Sequence, residues 1–227
     1  MRILGLETSS RVFSVAVCEG DRILSALKSE DPVSRSDRLA DLIQQALKDS
    51  GTPIKALEGL AISMGPGSFT GLRVGVATAK TLAWALKKPV LPVSSLEVIA
   101  SNLSQAASPI GVLLDARKGK VYTACFSPDG SGGLRRLSED QLLLPEAAIQ
   151  KIPSGALLTG DGVERYAGLL VSCADRKITV AAPQSWIPSA ENLCRIAAAQ
   201  GLSRGVDDPH RLVPQYLYSK ESDVIGW

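Results

Sequence analysis

Histidine is almost missing from this chain: among 227 residues there is one, His210. A two-histidine metal site cannot be built from it. A Ser-His-Asp triad would have to recruit this single residue, which sits in the polar run Asp207-Asp208-Pro209-His210-Arg211 and is expected on the surface. Net charge is nearly absent as well, with 25 Lys and Arg against 23 Asp and Glu. Gripping nucleic acid alone takes a concentrated basic surface, so an RNA-related role would need a partner to supply much of the grip. Long apolar runs are missing too. No stretch nears the roughly 20 residues that cross a bilayer, and the apolar start Ile3-Leu4-Gly5-Leu6 is broken by Glu7, unlike a signal peptide. Cys18, Cys125, Cys173 and Cys194 form no C-x-x-C pair. Buried, reduced thiols in a cytoplasmic protein are the expectation, and zinc is not.

What is present is an ordinary globular composition, 45% apolar and 21% charged, long enough for one large or two small domains. The run Ile3–Glu7 reads as a buried strand. Val12–Glu19 and Ile23–Lys28 follow as two more, joined by the turn signal Glu19-Gly20-Asp21-Arg22. After Pro32, Ser34 and Asp37 form a capping box, and Leu39, Leu42, Ile43, Ala46 and Leu47 make one helical stripe. A strand at Gly59–Met64, a helix over roughly Leu72–Lys87 and a strand at Val90–Val93 come next, with Ser94 or Ser95 capping a third helix. The second half replays this order. Strands are expected at Ile110–Asp115, Val121–Ser127 and Leu134–Leu137, then a helix near Glu146–Lys151, a strand at Ala156–Thr159 and a helix from Val163. A βββαβα order occurring twice predicts a duplicated α/β fold, the actin-like and ribonuclease H-like layout of sugar kinases and heat-shock ATPases, facing itself across a cleft. Two subdomains are expected, 1–106 and 107–227, with the last helix free to pack back on the first.

Three segments hold candidate chemistry. Glu7-Thr8-Ser9-Ser10 lies where actin-like enzymes place a phosphate-binding turn; Thr8 and Ser9 would be its contacts, and a plain tight turn is the other reading. Gly65-Pro66-Gly67-Ser68-Phe69-Thr70-Gly71 joins a strand to a helix N-terminus, where Gly65 and Gly67 would serve an anion or only the turn. It is neither a Walker A loop nor a dinucleotide fingerprint. Asp115 mirrors Glu7, and Gly160-Asp161-Gly162 mirrors Gly65-Pro66-Gly67, so Asp115 and Gly160 complete the candidate nucleotide contacts. In the helix after the glycine loop, Gly75, Ala79 and Ala83 form a small-residue ridge. Arg73, Lys80, Trp84 and Lys87 gather on the opposite side, at 100° per residue. That basic stripe around a tryptophan is either a subunit interface or a Trp covering its own domain, with the lysines in water.

Several of these blocks together resemble one family. Ile3-Leu4-Gly5-Leu6-Glu7-Thr8-Ser9-Ser10, Gly65-Pro66-Gly67-Ser68-Phe69-Thr70-Gly71-Leu72-Arg73-Val74-Gly75 and Ala77-Thr78-Ala79-Lys80-Thr81-Leu82-Ala83 are similar to the TsaB, or YeaZ, family. Val93-Ser94-Ser95-Leu96-Glu97, Asp115-Ala116-Arg117-Lys118-Gly119-Lys120-Val121-Tyr122 and Pro214-Gln215-Tyr216-Leu217 extend the likeness over most of the chain. The resemblance implies an actin-like duplication that pairs with a TsaD-like catalytic subunit and a TsaE-like ATPase. Together they form N6-threonylcarbamoyladenosine beside the anticodon of tRNA. It also implies a dimerisation surface on helices of the N-terminal half, used for a homodimer when the chain is alone, with tRNA reached indirectly through the complex.

The catalytic relative binds metal through an H-L-E-A-H-like motif, for which this chain reads Ser95-Leu96-Glu97-Val98-Ile99. Neither histidine is there, and a lone Glu97 is no transition-metal site. The expectation is therefore a non-catalytic partner with no metal and no required cofactor, nucleotide binding being left open. Arg35 stands where members often carry histidine, which has no physical account. Direct tRNA contact through Arg117, Lys118 and Lys120, or Arg135 and Arg136, is a secondary reading beside simple solvation. The competing readings are a small actin-like kinase using Glu7 and Asp115 with Asp161 nearby, and a homodimeric scaffold with another partner.

Overall fold

The computed structural model describes residues 1–29, 35–171 and 174–218. The Ser34–Asp37 capping box, the side chain of Arg35 and Cys173 lie outside what it describes. Two units emerge: Met1–Val98 with Pro188–Pro214, and Ile99–Ile187 with Gln215–Trp227.

In the first unit, β1 (Arg2–Glu7), β2 (Phe13–Glu19) and β3 (Arg22–Ser29) form a meander. They are followed by α1 (Arg35–Asp49), β4 (Gly59–Ser63), α2 (Phe69–Leu86) and β5 (Val90–Val93), and α3 (Ser95–Ala100) then leads into the second unit. There, β6 (Ile110–Asp115), β7 (Val121–Pro128), β8 (Leu134–Arg136) and β9 (Gln141–Leu143) precede α4 (Pro145–Lys151) and β10 (Leu157–Thr159). The short helices α5 (Gly162–Arg165) and α6 (Ala167–Val171) and the strand β11 (Thr179–Val180) complete it; α7 (Ala190–Gln200) returns to the first unit.

The sheets show the duplication. Their orders are β3-β2-β1-β4-β5 and β8-β7-β6-β10-β11. In each, the first three strands run antiparallel to their neighbours, while the fourth lies parallel to the first and the fifth parallel to the fourth. This is the expected duplicated actin-like, ribonuclease H-like α/β fold. The two halves differ at the third strand. β8 pairs with Phe126–Pro128 and β9 with Val121–Thr123, so both lie along the same edge of β7 and together stand in for the unbroken β3. Ser138 accepts the Cys125 N–H at 2.9 Å, and Arg136 pairs with Asp140 at 2.6 Å, which fixes the excursion between β8 and β9.

Apolar strands that alternate poorly are explained by cover on both faces. Leu4, Leu6, Val15, Val17, Leu60 and Ile62 pack under Leu39, Ile43 and Ala46 of α1 and Val76, Ala79 and Ala83 of α2. Ile3, Ala16, Cys18, Ala61 and Leu91 face Ala190, Leu193, Cys194 and Ala197 of α7. The division falls between Val98 and Ile99 rather than at residue 106, and the segment from Pro188, which supplies the helix on the second face of sheet one, belongs to the first unit. Ser14 Oγ accepts the Ala190 N–H at 2.9 Å, and Val206 bridges to Val90. Cys18, Cys125 and Cys194 are buried free thiols, and His210 is exposed. No described helix is long and apolar enough to cross a membrane.

α7 lies so close to β1 that a Cβ on Gly5 would come 2.6 Å from Cys194 Sγ and 3.2 Å from the Ala190 carbonyl oxygen. Gly5→Ala should therefore destabilise the chain by about 1–3 kcal/mol, as overpacking does. Cys194→Ala placed in the Gly5→Ala background should recover most of that loss in urea unfolding. Simple addition of the two single losses would contradict this packing.

Candidate functional site

The turn after β1 is held by one carboxylate. Glu7, fully buried, accepts from the Ser9 N–H at 2.7 Å and the Ser9 hydroxyl at 2.6 Å, and its other oxygen accepts from Ser63 at the end of β4. Burial pushes the Glu7 carboxyl above its ordinary value, and the three donors pull only part of the way back. The Ser9 donors that a phosphate would seek are engaged by a carboxylate of its own sign.

The start of α2 closes over this turn. Ser68 caps the helix, accepting from the Gly71 N–H at 3.3 Å, and its own N–H donates to the Ser9 carbonyl at 2.7 Å. A Cβ on Gly67 would sit 2.3 Å from the Ser9 carbonyl oxygen, on Gly71 2.1 Å from that of Thr8, and on Gly75 2.0 Å from Thr8 Oγ1. Three glycines thus form a notch that Thr8 and Ser9 fill. Thr8 Oγ1 is buried in it with no hydrogen-bond partner among the described residues. Helix α2 consequently begins one turn before the expected Leu72.

With its inner face committed, α2 leaves its outer face open. Phe69, Thr70, Arg73, Ala77, Thr81, Trp84 and Ala85 are exposed along it, Phe69 by 53% and Trp84 by 69%. The Arg73 guanidinium stacks over the Phe69 ring, 3.8 Å from its centroid. Lys87 ends the helix in left-handed conformation, exposed. Lys80 sits differently from the expected outward stripe. It is half-buried, and its ammonium donates to the carbonyls of Leu212 at 3.2 Å and His210 at 3.4 Å. The returning segment, anchored by buried Leu212, covers that edge of the helix. The open face therefore runs from Phe69 past small residues to Trp84.

In the second unit, Asp115 ends β6 as Glu7 ends β1, with different partners. Its carboxylate meets Arg165 at 3.0 Å and Arg117 at 3.5 Å, and its N–H donates to Asp161 at 2.9 Å. Gly160 has φ +104° against +106° at Gly65, whose peptide bond to Pro66 is cis. A Cβ on Gly160 would lie 2.2 Å from the Leu113 carbonyl oxygen, so this loop is tight against its own sheet.

A family model described as TsaD, tRNA N6-adenosine threonylcarbamoyltransferase, matches residues 34–151. The protein named tRNA threonylcarbamoyladenosine biosynthesis protein TsaB of Escherichia coli is 30% identical, covering 96% of this chain and 94% of its own. Its namesake in Bacillus subtilis is 28% identical over 99% and 97%. The solved structure of YeaZ from Pseudomonas aeruginosa superposes with a TM-score of 0.79 at 26% identity, covering 95% of this chain and all of that one. The chain belongs to the TsaB family. For a TsaB-family chain the start of α3 matters, because Ser95 and Ile99 stand where the resemblance puts the histidines of the catalytic relative. Both are buried, Ser95 Oγ without a hydrogen-bond partner among the described residues. Those residues contain no group of three or more His, Cys, Asp or Glu that would hold a metal ion.

Sequence reasoning missed Phe69 on the outer face of α2 and the role of Glu7 as the clasp of the turn. Ser68, a cap-forming residue in the loop after β4, was the available signal for the earlier helix start.

Replacing Glu7 tests the clasp. Glu7→Ala strands three buried donors and should cost about 2–4 kcal/mol, whereas Glu7→Gln retains an acceptor and should cost less. The sign with pH follows from the raised carboxyl. Its stabilising contribution is complete below the usual value near 4.5 and is lost as pH rises through the raised folded value. Wild type should therefore lose stability relative to Glu7→Gln over that window in denaturant titrations. A difference independent of pH would mean Glu7 titrates as a free carboxyl.

Proposed function

We propose that this chain is the non-catalytic, cytoplasmic partner of a TsaD-type threonylcarbamoyltransferase, acting with a TsaE-type ATPase to form N6-threonylcarbamoyladenosine in tRNA. The relatives' names supply the pathway, and the outer face of α2 carries the partner role. An 18-residue helix that buries one side and leaves Phe69 and Trp84 in water at opposite ends is laid out for an apolar neighbour. Ala77 and Thr81 between them let a second helix approach closely. Arg73 and Lys87 flank this strip as its polar rim, and Lys80 contributes indirectly, by holding the 210–212 segment beside it. The same face would serve a second copy of the chain when no partner is present.

Three places in the chain disfavour catalysis. Ser95 and Ile99 cannot replace imidazole ligands. The Asp115 carboxylate is already paired with Arg165 and Arg117, which a magnesium ion would have to displace. A phosphate at Ser9 would compete with Glu7 for the two Ser9 donors, which disfavours a nucleotide at this turn. These features disfavour the kinase reading.

Association measured by sedimentation decides the matter. Trp84→Ala should weaken binding to the TsaD-type subunit by at least about tenfold, the loss expected for a hot-spot aromatic. Folding stability should stay within about 0.5 kcal/mol because the side chain is exposed. Full-strength association of Trp84→Ala and of Phe69→Ala would contradict the assignment of this face.

A further inference from the structure

Two of the buried thiols, Cys18 and Cys194, meet at the seam between the first sheet and α7, and the partner role makes no use of them. The seam is built from small residues: Gly5, Ala16 and Ala61 on the strands, and Ala190, Cys194 and Ala197 on the helix. With so little side chain between them, helix and sheet approach closely, and a Cβ on Gly5 would lie 3.2 Å from the Ala190 carbonyl oxygen. A disulfide between a strand and a helix needs such an approach, since its two Cα atoms stand only about 4.4–6.8 Å apart.

The register brings the sulfurs together. Across β1 and β2, Gly5 pairs with Ala16 and Ile3 with Cys18. Cys194 sits over the first of these pairs, its thiol donating to the Ala16 carbonyl at 3.6 Å. Cys18 is the next side chain on the same face of β2, roughly 7 Å further along the strand. The two thiols hydrogen-bond to each other within one apolar cluster, and neither is exposed. The neighbouring thiol and burial together push Cys194 well above the ordinary thiol value. It is held as the unreactive S–H form while α7 is seated. Cys125 lies apart, in the core of the second unit.

We propose that Cys18 and Cys194 form a redox-responsive pair, which a small-molecule disulfide converts into a covalent link between β2 and α7. A passing opening of α7 exposes the two thiols. One thiolate attacks a sulfur of the small disulfide, giving a mixed disulfide and releasing one small thiol. The second protein thiolate then attacks the protein-bound sulfur and releases the other. The pair loses two electrons and two protons, and the reagent takes both up as two thiols. The link closes the long loop from residue 18 to residue 194, which constrains the unfolded chain and fastens the helix that returns from beyond the second unit. A reducing cytoplasm keeps the pair open, so the link answers a rise in oxidised thiols.

The test treats the whole folded chain, without denaturant, with oxidised glutathione at about pH 8. Remaining thiols are blocked with N-ethylmaleimide, and disulfides are mapped by mass spectrometry after trypsin. The four cysteines fall in separate tryptic peptides, Cys18 in 12–22 and Cys194 in 178–195. Expected is a cross-link between these two peptides as the main product, with no glutathione retained on either. The oxidised chain should unfold at a higher urea midpoint than the reduced one, and dithiothreitol should reverse the shift. Cys194→Ala should show neither the cross-link nor the shift. Glutathione left on Cys18 or Cys194, a mixture of pairings that draws in Cys125 or Cys173, or no reaction at either cysteine would overturn the proposal. A cross-linked chain less stable than the reduced one would overturn it too.

Discussion

The seating of Thr8 and Ser9 in the notch formed by Gly67, Gly71 and Gly75 is the contact on which the first unit depends. It brings the turn after β1 against the first two turns of α2 at distances that no side chain on those glycines would permit. Glu7 secures it by binding both donors of Ser9 and tying the turn to Ser63 at the end of the neighbouring parallel strand. A buried carboxylate with three donors is costly to disturb, so the turn and the helix start have one arrangement. That arrangement aims α2: its small residues face the sheet, and Phe69 and Trp84 are left outside. The open outer face of α2 is thus a consequence of the way the turn is closed.

Duplication makes the divergence of the halves visible. The sheet orders correspond strand for strand, and Gly65 and Gly160 share a backbone angle to within 2°. Glu7 and Asp115 nevertheless face different company. The first is enclosed with serines, and the second holds two arginines near the surface. The first turn is packed shut against a helix, whereas the second is an exposed hairpin with cations at its tip. One fold position has become an internal clasp in one half and a charged surface in the other.

The order of elements was legible in the sequence because it is written locally, in the stripe of α1, the turn at Gly20-Asp21 and the apolar strands ended by Glu7 and Asp115. The outward position of Trp84 followed from helical periodicity alone. What could not be read depended on distant segments meeting. Lys80 belongs geometrically to the Trp84 stripe, yet residues 210–212 come back across that edge and bind it. Nothing within α1 to α3 announces that α7, about a hundred residues later, covers the second face of the first sheet. Glu7 looked like a candidate for metal or phosphate chemistry, and its commitment to Ser63 becomes visible only once β1 and β4 are paired.

The central claim is that this chain enables a modification it does not itself catalyse. The direct measurement is threonylcarbamoyladenosine formation on unmodified tRNA by the matching TsaD-type and TsaE-type proteins with threonylcarbamoyl-AMP and ATP, with and without this chain. The account predicts that product appears only when the chain is added, and that the chain alone forms none. Equal product in its absence would contradict the account.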